Sequence, residues 1–241
     1  MITMTPETTI GEMVAQDYRA ASVFGKHGID FCCKGHRTLQ EACEKKGFSK
    51  EQIQNELDTV MQKPLDNAID FKTWPLDLLI SYIEKTHHRY VEEQIPVLLQ
   101  FLEKLCKVHG GRHPELHDIY DLFRSSAGDL TQHMKKEELI LFPFIQKMVK
   151  AQNEKLTIEQ PHFGTVENPI AMMKDEHTVE GDRFATIATL TDGFAPPEDA
   201  CTTYRVTFQL LKEFEQDLHK HIHLENNILF PKAIALQSQL Q

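Results

Sequence analysis

Two fifteen-residue stretches, DLTQHMKKEELILFP (129–143) and DLHKHIHLENNILFP (217–231), share the frame D-L-x-x-H-x-x-x-E-x-x-I/L-L-F-P, offset by 88 residues. On a helix, a histidine and a glutamate four positions apart lie on one face about 5–6 Å from each other. His133 with Glu137, and His221 with Glu225, can therefore each aim an imidazole and a carboxylate at one point. His88 lies 45 residues before His133 and His177 lies 44 before His221, so the chain reads as two copies of a helix pair, each carrying one H and one H-x-x-x-E. Four imidazoles and two carboxylates converging from four helices suit a dinuclear metal site, with Glu137 and Glu225 as bridges. Nitrogen and oxygen donors without thiolate favour iron or manganese over a closed structural zinc site. Four histidines and two bridging glutamates leave each ion short of six ligands, with positions open to water, oxo, oxygen or nitric oxide.

Around this set, Asp129 and Asp217 stand one turn before the motif histidines, where they could accept the free imidazole N–H or simply belong to a solvated acidic face. Phe142-Pro143 and Phe230-Pro231 read as core packing with a helix kink. His87, adjacent to His88 and about 100° around the helix, is expected to be exposed, and His219 and His223 are expected to face away from the site. His109, His113 and His117 gather beside Gly110-Gly111 and read as a solvated loop. Cys32-Cys33 is the second chemical feature. Lys34, His36 and Arg37 beside it are expected to favour thiolate, the reactive and metal-binding form. That gives a role in thiol redox exchange or in transient metal or cluster contact, against the plainer reading of two small buried residues in a turn. Cys43, Cys106 and Cys201 read as inert.

The elements that must carry these residues are helical nearly throughout. Thr9, with Glu12 three residues on, opens a capping box; Thr38 heads LQEACEKKG, and Ser49 heads KEQIQNELDTVMQK. These short helices form a unit over 1–65, bounded by Lys63-Pro64-Leu65-Asp66. Long amphipathic helices are expected at about 75–107, 114–149, 168–191 and 198–237, separated by Gly110-Gly111, the stretch around Pro161, and Asp192-Gly193 with Pro196-Pro197. The fold class is all-α: an antiparallel four-helix bundle over 70–241 preceded by a small helical domain. The 150–167 loop is too long for a tight bundle turn and must be ordered by packing or by function.

The 241 residues include 26 Lys plus Arg against 36 Asp plus Glu, a net charge of −10. That balance argues against nucleic acid as a partner, which needs a basic face. No apolar run approaches the ~20 residues of a membrane span. The N-terminus does not read as a secretory signal. Five scattered cysteines are not a disulfide framework. A cytoplasmic protein, monomer or homodimer, is expected.

With the six ligands assigned, the chain resembles the iron–sulfur cluster repair di-iron proteins, whose C-terminal half is a hemerythrin-like bundle. The resemblance rests on Gly28-Ile29-Asp30-Phe31-Cys32-Cys33-Lys34-Gly35 followed by Thr38-Leu39, and on HMKKEELILFP, HIHLENNILFP and PPEDACTTY. It implies two non-haem iron ions held by His88, His133, Glu137, His177, His221 and Glu225, and an acid near the metal pocket at Glu176. It also implies repair of clusters damaged by nitric oxide or oxidants through supply of iron, with damaged iron–sulfur proteins or an assembly scaffold as partners. The alternatives are a hemerythrin-like carrier or sensor of oxygen or nitric oxide, or a nitric oxide reductase or peroxidase. Spacing alone does not specify turnover.

Overall fold

The computed structural model describes residue 5 and residues 7–61 and 69–240; the boundary expected at 63–66 lies outside them. Four short helices come first: α1 (Ile10–Gln16), α2 (Ala20–Lys26), α3 (Leu39–Lys46) and α4 (Lys50–Met61). Local chemistry sets two of their starts. Thr9 and Glu12 exchange reciprocal bonds of 2.8 and 3.2 Å between side chain and backbone N–H, and Thr38 and Glu41 repeat the device at 2.8 and 3.3 Å. Gly47, in the left-handed region at φ 72°, ends α3. Helix α2 carries no such start signal, because its first residue follows Arg19, which makes no side-chain cap.

After a 3₁₀ turn (Phe71–Thr73) come four long helices: α5 (76–109), α6 (115–154), α7 (Glu167–Leu190) and α8 (202–240). Among the described residues the β structure is one isolated antiparallel bridge, Thr9 to Thr38. Three of the long helices carry a π-helical turn, at Ile83–His88, Glu137–Leu141 and Glu225–Leu229. The last two end two residues before Pro143 and Pro231. A proline ring collides with the carbonyl four residues back and offers no N–H, so the helix widens there. The kink expected at the Leu-Phe-Pro ends takes this form. Residues 155–166 are ordered by packing: the Phe163 ring lies 5.1 Å from that of Phe144, and the Val166 N–H donates to Gln237 Oε1 at 2.8 Å.

Two apolar clusters fill the molecule. One joins Ile10, Phe24, Ile29, Ile53 and Leu57 of the N-terminal helices to Leu98, Leu102, Phe123, Phe184, Phe214 and Ile222 of the bundle. The other joins Leu79, Ile83, Phe142, Ile145, Met173, Leu229 and Phe230 at the opposite end. Along α5 and α7 the chain passes from the second cluster to the first, and along α6 and α8 from the first to the second, as antiparallel neighbours must. His88, His133, Glu137, His177, His221 and Glu225 all fall near the crossover. The shared core makes the N-terminal helices structural partners of the bundle. Phe24→Ala should cost about 3–5 kcal/mol. It should lower one common unfolding midpoint, seen by helical circular dichroism and by fluorescence of Trp74 at the other end of the bundle. Two separated transitions would show that the parts melt independently.

Candidate metal centre

All six residues are buried, and they form two groups that share both glutamates: His88, His221, Glu137 and Glu225, and His133, His177, Glu137 and Glu225, with ligand atoms in each group within 4.8 Å of one another. Each histidine turns its Nε2 inward. The Nε2 to carboxylate distances are 3.3 Å (His88 to Glu137), 3.4 Å (His133 to Glu137), 3.2 Å (His177 to Glu225) and 3.0 Å (His221 to Glu225).

Three of the outward Nδ1 atoms are held by polar side chains. His88 meets Glu138 at 3.0 Å, His133 meets Glu176 at 2.8 Å, and His177 meets Asn226 Oδ1 at 2.9 Å. Each Nδ1 is thereby the donor, which leaves the Nε2 lone pair facing the interior. The Nε2 atoms of His133 and His177 then face each other at 3.0 Å. Two lone pairs at that distance repel unless a cation or a proton lies between them. Two nitrogens bound at a right angle to one ion, each about 2.1 Å from it, would be about 3.0 Å apart. Both oxygens of Glu137, Glu225 Oε2 and His88 Nε2 are buried with no hydrogen-bond partner among the described residues. Orphaned carboxylate oxygens facing imidazole lone pairs are the donor set a metal ion requires.

Electrostatics lead to the same conclusion for the metal-free protein. Burial opposes a charge on His88, but Glu137 overrides it and holds the pKa up to about 9. At His133 burial is likewise overridden by Glu137, with Glu176 adding to the effect, and the pKa rises to about 10. Burial pushes both Glu137 and Glu225 up, with the Glu225 charge adding to it at Glu137, yet the surrounding histidines win and both are lowered. His221 is lowered by burial. Protons thus stand in for cations in an otherwise anionic pocket.

The repeat carries through to the residues behind the site. Glu138 and Asn226 occupy equivalent positions and serve the equivalent histidines 88 and 177. Phe142 and Phe230 are also equivalent, and stack on those rings at 5.7 and 6.1 Å. Symmetry then breaks. The position equivalent to Glu176 is His87, for which exposure is expected from its place about 100° from His88. It is buried, bonded through Nδ1 to Asp217 at 2.9 Å, and stacked 5.7 Å from His221, whose Nδ1 finds no partner among the described residues. The π turn at 83–88 and the close neighbour α8 cover both histidines of the His87-His88 pair. Asp217 accordingly serves His87 and not His221, and Asp129 pairs with Arg183 at 2.8 Å.

One half of the site opens outward. A cavity of about 270 Å³ is lined by His133, His177, Lys136, Glu176 and Glu180 among others, and touches neither His88 nor His221. Glu176 bonds His133 and Lys136, and its pKa is held down to about 2 mainly by the His133 bond. It is an ionised acceptor orienting His133. Glu138 and Asn226 were missed in the sequence; the available signal was a polar residue directly after the motif glutamate in both copies. Glu138→Ala, Asn226→Ala or Glu176→Ala should each weaken metal binding 10–100-fold in a chelator competition. Unchanged affinity would deny these residues an orienting role.

Cys32 and Cys33 are free thiols, the first buried and the second half-buried. The expected thiolate does not form at Cys32: the bond with Cys33, burial and nearby Asp30 push its pKa well above the ordinary thiol value. Lys34 is drawn off to Asp182 at 2.7 Å, and Arg37 donates to the Lys34 carbonyl at 3.1 Å. The cysteine loop is clasped to the bundle next to the His133–His177 group. Cys33 Sγ donates to the His177 carbonyl at 3.2 Å, and Asn226 Nδ2 donates to the Cys32 carbonyl at 3.2 Å. Asn227 Nδ2 donates to the Phe31 carbonyl at 3.3 Å. His219 and His223 do face away from the site, toward this domain, with ring centroids 6.1 and 6.0 Å from Phe31. His109 is buried, bonding Cys201 Sγ at 3.3 Å, while His113 is half-buried beside Asp199 at 3.0 Å and His117 is exposed as expected. No helix among the described residues is long and apolar enough to cross a membrane.

Comparison with known proteins agrees with this architecture. Residues 79–233 match the hemerythrin HHE cation binding domain, and residues 6–61 match a domain of unknown function (DUF542, ScdA_N). Three similar proteins each bear the name iron–sulfur cluster repair protein YtfE. That of Musicola paradisiaca is 35% identical over 95% of this chain and 96% of its own. That of Pectobacterium carotovorum is 35% identical over 95% and 97%. That of Yersinia pseudotuberculosis is 34% identical over 94% and 96%. A bundle with two carboxylate-sharing His/Glu groups, an appended Cys-Cys domain and near-full-length similarity lead to one assignment: the chain belongs to the YtfE family of iron–sulfur cluster repair proteins, with a hemerythrin HHE cation-binding domain.

Proposed function

We propose that the chain holds two iron ions in the bundle and repairs iron–sulfur clusters damaged by nitrosative or oxidative stress, supplying iron to the damaged proteins or to an assembly scaffold. The observation that carries this reading is the sharing of Glu137 and Glu225 by both His/Glu groups, an arrangement that serves a pair of ions and has no use for one. His88 and His221 would hold one ion and His133 and His177 the other. Nitrogen and oxygen donors of this type suit iron, and open coordination positions make it reactive and releasable. Glu138, Glu176 and Asn226 orient three of the imidazoles. His87 and Phe142 close the His88–His221 half, while the cavity beside Glu176 gives small ligands such as nitric oxide or oxygen, and departing iron, a route to the other half.

The relatives' names favour repair over a gas carrier or a reductase, and the Cys-Cys domain favours it too, because a carrier needs no appended thiols. Cys32 and Cys33 act in that repair as thiols seated against the bundle, the half-buried Cys33 being the more accessible to a client. The division into 1–65 and 70–241 belongs to the same proposal, supported by family matches that end at 61 and resume at 79. Free cysteines support a cytoplasmic location. Purified protein should contain about two iron atoms per chain, absorb in the near ultraviolet as an oxo-bridged ferric pair does, and restore activity to a nitrosylated iron–sulfur enzyme. Zinc alone, or one metal per chain, would overturn the assignment.

A further inference from the structure

A second group of metal-ligating side chains lies outside the bundle centre. Asp30, Cys32 and Cys33 bring a carboxylate oxygen and two sulfurs within 4.8 Å of one another. The Cys32 and Cys33 sulfurs are 3.7 Å apart, and Asp30 Oδ1 is 3.3 Å from Cys32 Sγ. A tetrahedral ion about 2.3 Å from sulfur and about 2.0 Å from oxygen would require edges of about 3.8 Å between sulfurs and about 3.5 Å between sulfur and oxygen. The loop therefore offers three corners of a tetrahedron with little rearrangement. Asp30 and Cys33 are half-buried, which leaves the fourth corner toward solvent.

The loop is also held in this shape. Asp30 Oδ1 accepts the backbone N–H groups of Cys32 at 3.1 Å and Cys33 at 2.9 Å. The bundle supplies the rest: Asn226 fixes the Cys32 carbonyl while its Oδ1 holds the ring of His177, and Cys33 Sγ rests on the His177 carbonyl. Gly181, in mid-helix, belongs to the same seat, because a Cβ there would lie 2.9 Å from Cys33 Sγ. Glycine costs a helix interior about 1 kcal/mol relative to alanine, and room for this sulfur is what the position gains. One asparagine thus touches both the cysteine loop and a histidine of the open half of the bundle centre.

We propose that Asp30, Cys32 and Cys33 form a separate site for one divalent transition-metal ion, and that its cargo is ferrous iron leaving the His133–His177 half of the bundle for a client. The cargo, though not the site, rests on the function proposed above. The transfer is ligand exchange without electron transfer: the bonds to His133, His177, Glu137 and Glu225 break as two metal–sulfur bonds form, two thiol protons pass to water, and iron remains ferrous. The fourth corner is where a client thiolate or a water binds.

The test uses the full chain with its bundle iron in place and cobalt(II) as the probe. Read as a difference spectrum against the same iron-loaded protein without cobalt, cobalt on thiolate sulfur adds intense near-ultraviolet charge-transfer absorption that cobalt on nitrogen and oxygen lacks. One equivalent per chain should produce the band. Cys32→Ser and Cys33→Ser should abolish it, and Asp30→Asn, which keeps an oxygen acceptor for the loop, should weaken binding at least tenfold. Gly181→Ala, which displaces Cys33 without touching a ligand, should also weaken it. No thiolate band at millimolar cobalt, or a band unchanged in Cys33→Ser, overturns the site. A band in protein that holds no bundle iron would uphold the site while sinking the di-iron reading. For the cargo, release of ferrous iron from reduced protein to a chelator should slow at least tenfold in Cys33→Ser at equal starting iron content; an equal rate overturns the transfer role.

Discussion

Replacing Glu225 with alanine should remove both metal ions from the protein, whereas His88→Ala should leave one of them substantially bound. The difference follows from sharing. Each glutamate belongs to both His/Glu groups, so one truncation takes a donor from each, while a histidine belongs to one group. The loss in affinity should exceed the 10–100-fold expected for residues that only orient a ligand. Glu137→Ala should behave alike. Metal content per chain, measured after equal exposure to a competing chelator, reads the outcome. Retention of both ions in Glu225→Ala would mean that the carboxylates do not bridge. The metal-free forms should diverge the other way. Removing Glu137 relieves one buried charge but strands the protonated His88 and His133 that lean on it, which costs about 3–5 kcal/mol by the ordinary rule for broken buried pairs.

The stability of the metal-free protein should fall as pH rises through the range where the metal-loaded protein holds steady. His88 and His133 have folded-state pKa values of about 9 and about 10, against 6.5 unfolded. The stabilisation from their protonation is complete below pH 6.5 and disappears as pH climbs through 9 to 10. For His88 alone it is on the order of 3 kcal/mol. The two contributions do not add, because both lean on Glu137. At the acid end the lowered Glu137 and Glu225 act in the opposite sense: their contribution is present above 4.5 and lost as pH drops through their folded values. His219, His221 and His223, all lowered by burial, cost stability as pH falls below 6.5, so metal-free protein should be most stable near pH 6.5. From pH 6 to 10 its Tm should drop by roughly 6–12 °C, taking 2–4 °C per kcal/mol for a chain of this size. Bound cations take over the protons' role, so the loaded protein should lose less than half as much. A flat or rising Tm in the metal-free form over that range would show that the histidines are neutral there.

Both results depend on features with different visibility in the sequence. The H-x-x-x-E frame, its 88-residue repeat, and His88 and His177 at matching offsets are legible because i to i+4 proximity is a local property of any helix. The capping boxes at Thr9 and Thr38 are legible for the same reason. His87 was not. Whether a residue 100° from a ligand meets water depends on how closely α8 lies against α5 and on the π turn beneath it, and neither is local. Glu138 and Asn226 were overlooked because each points across to a histidine on another helix. The thiolate expected from Lys34 and Arg37 fails because a tertiary contact draws Lys34 to Asp182, the loop's own carbonyl holds Arg37, and Asp30 and a second thiol are left as the neighbours of Cys32.

By itself, then, the sequence determined an all-α chain, its four long helices and six residues able to meet at one level of a bundle. These rest on periodicity, spacing and turn chemistry, all confined to a few consecutive residues. The tertiary structure alone decided three further things: that one half of the centre opens beside Glu176 while His87 closes the other, that the N-terminal helices share the bundle's core, and that the Cys32-Cys33 loop sits against His177. Each depends on helix register and on packing between segments far apart in the chain, where a shift of one residue turns a side chain by 100° and exchanges its partners.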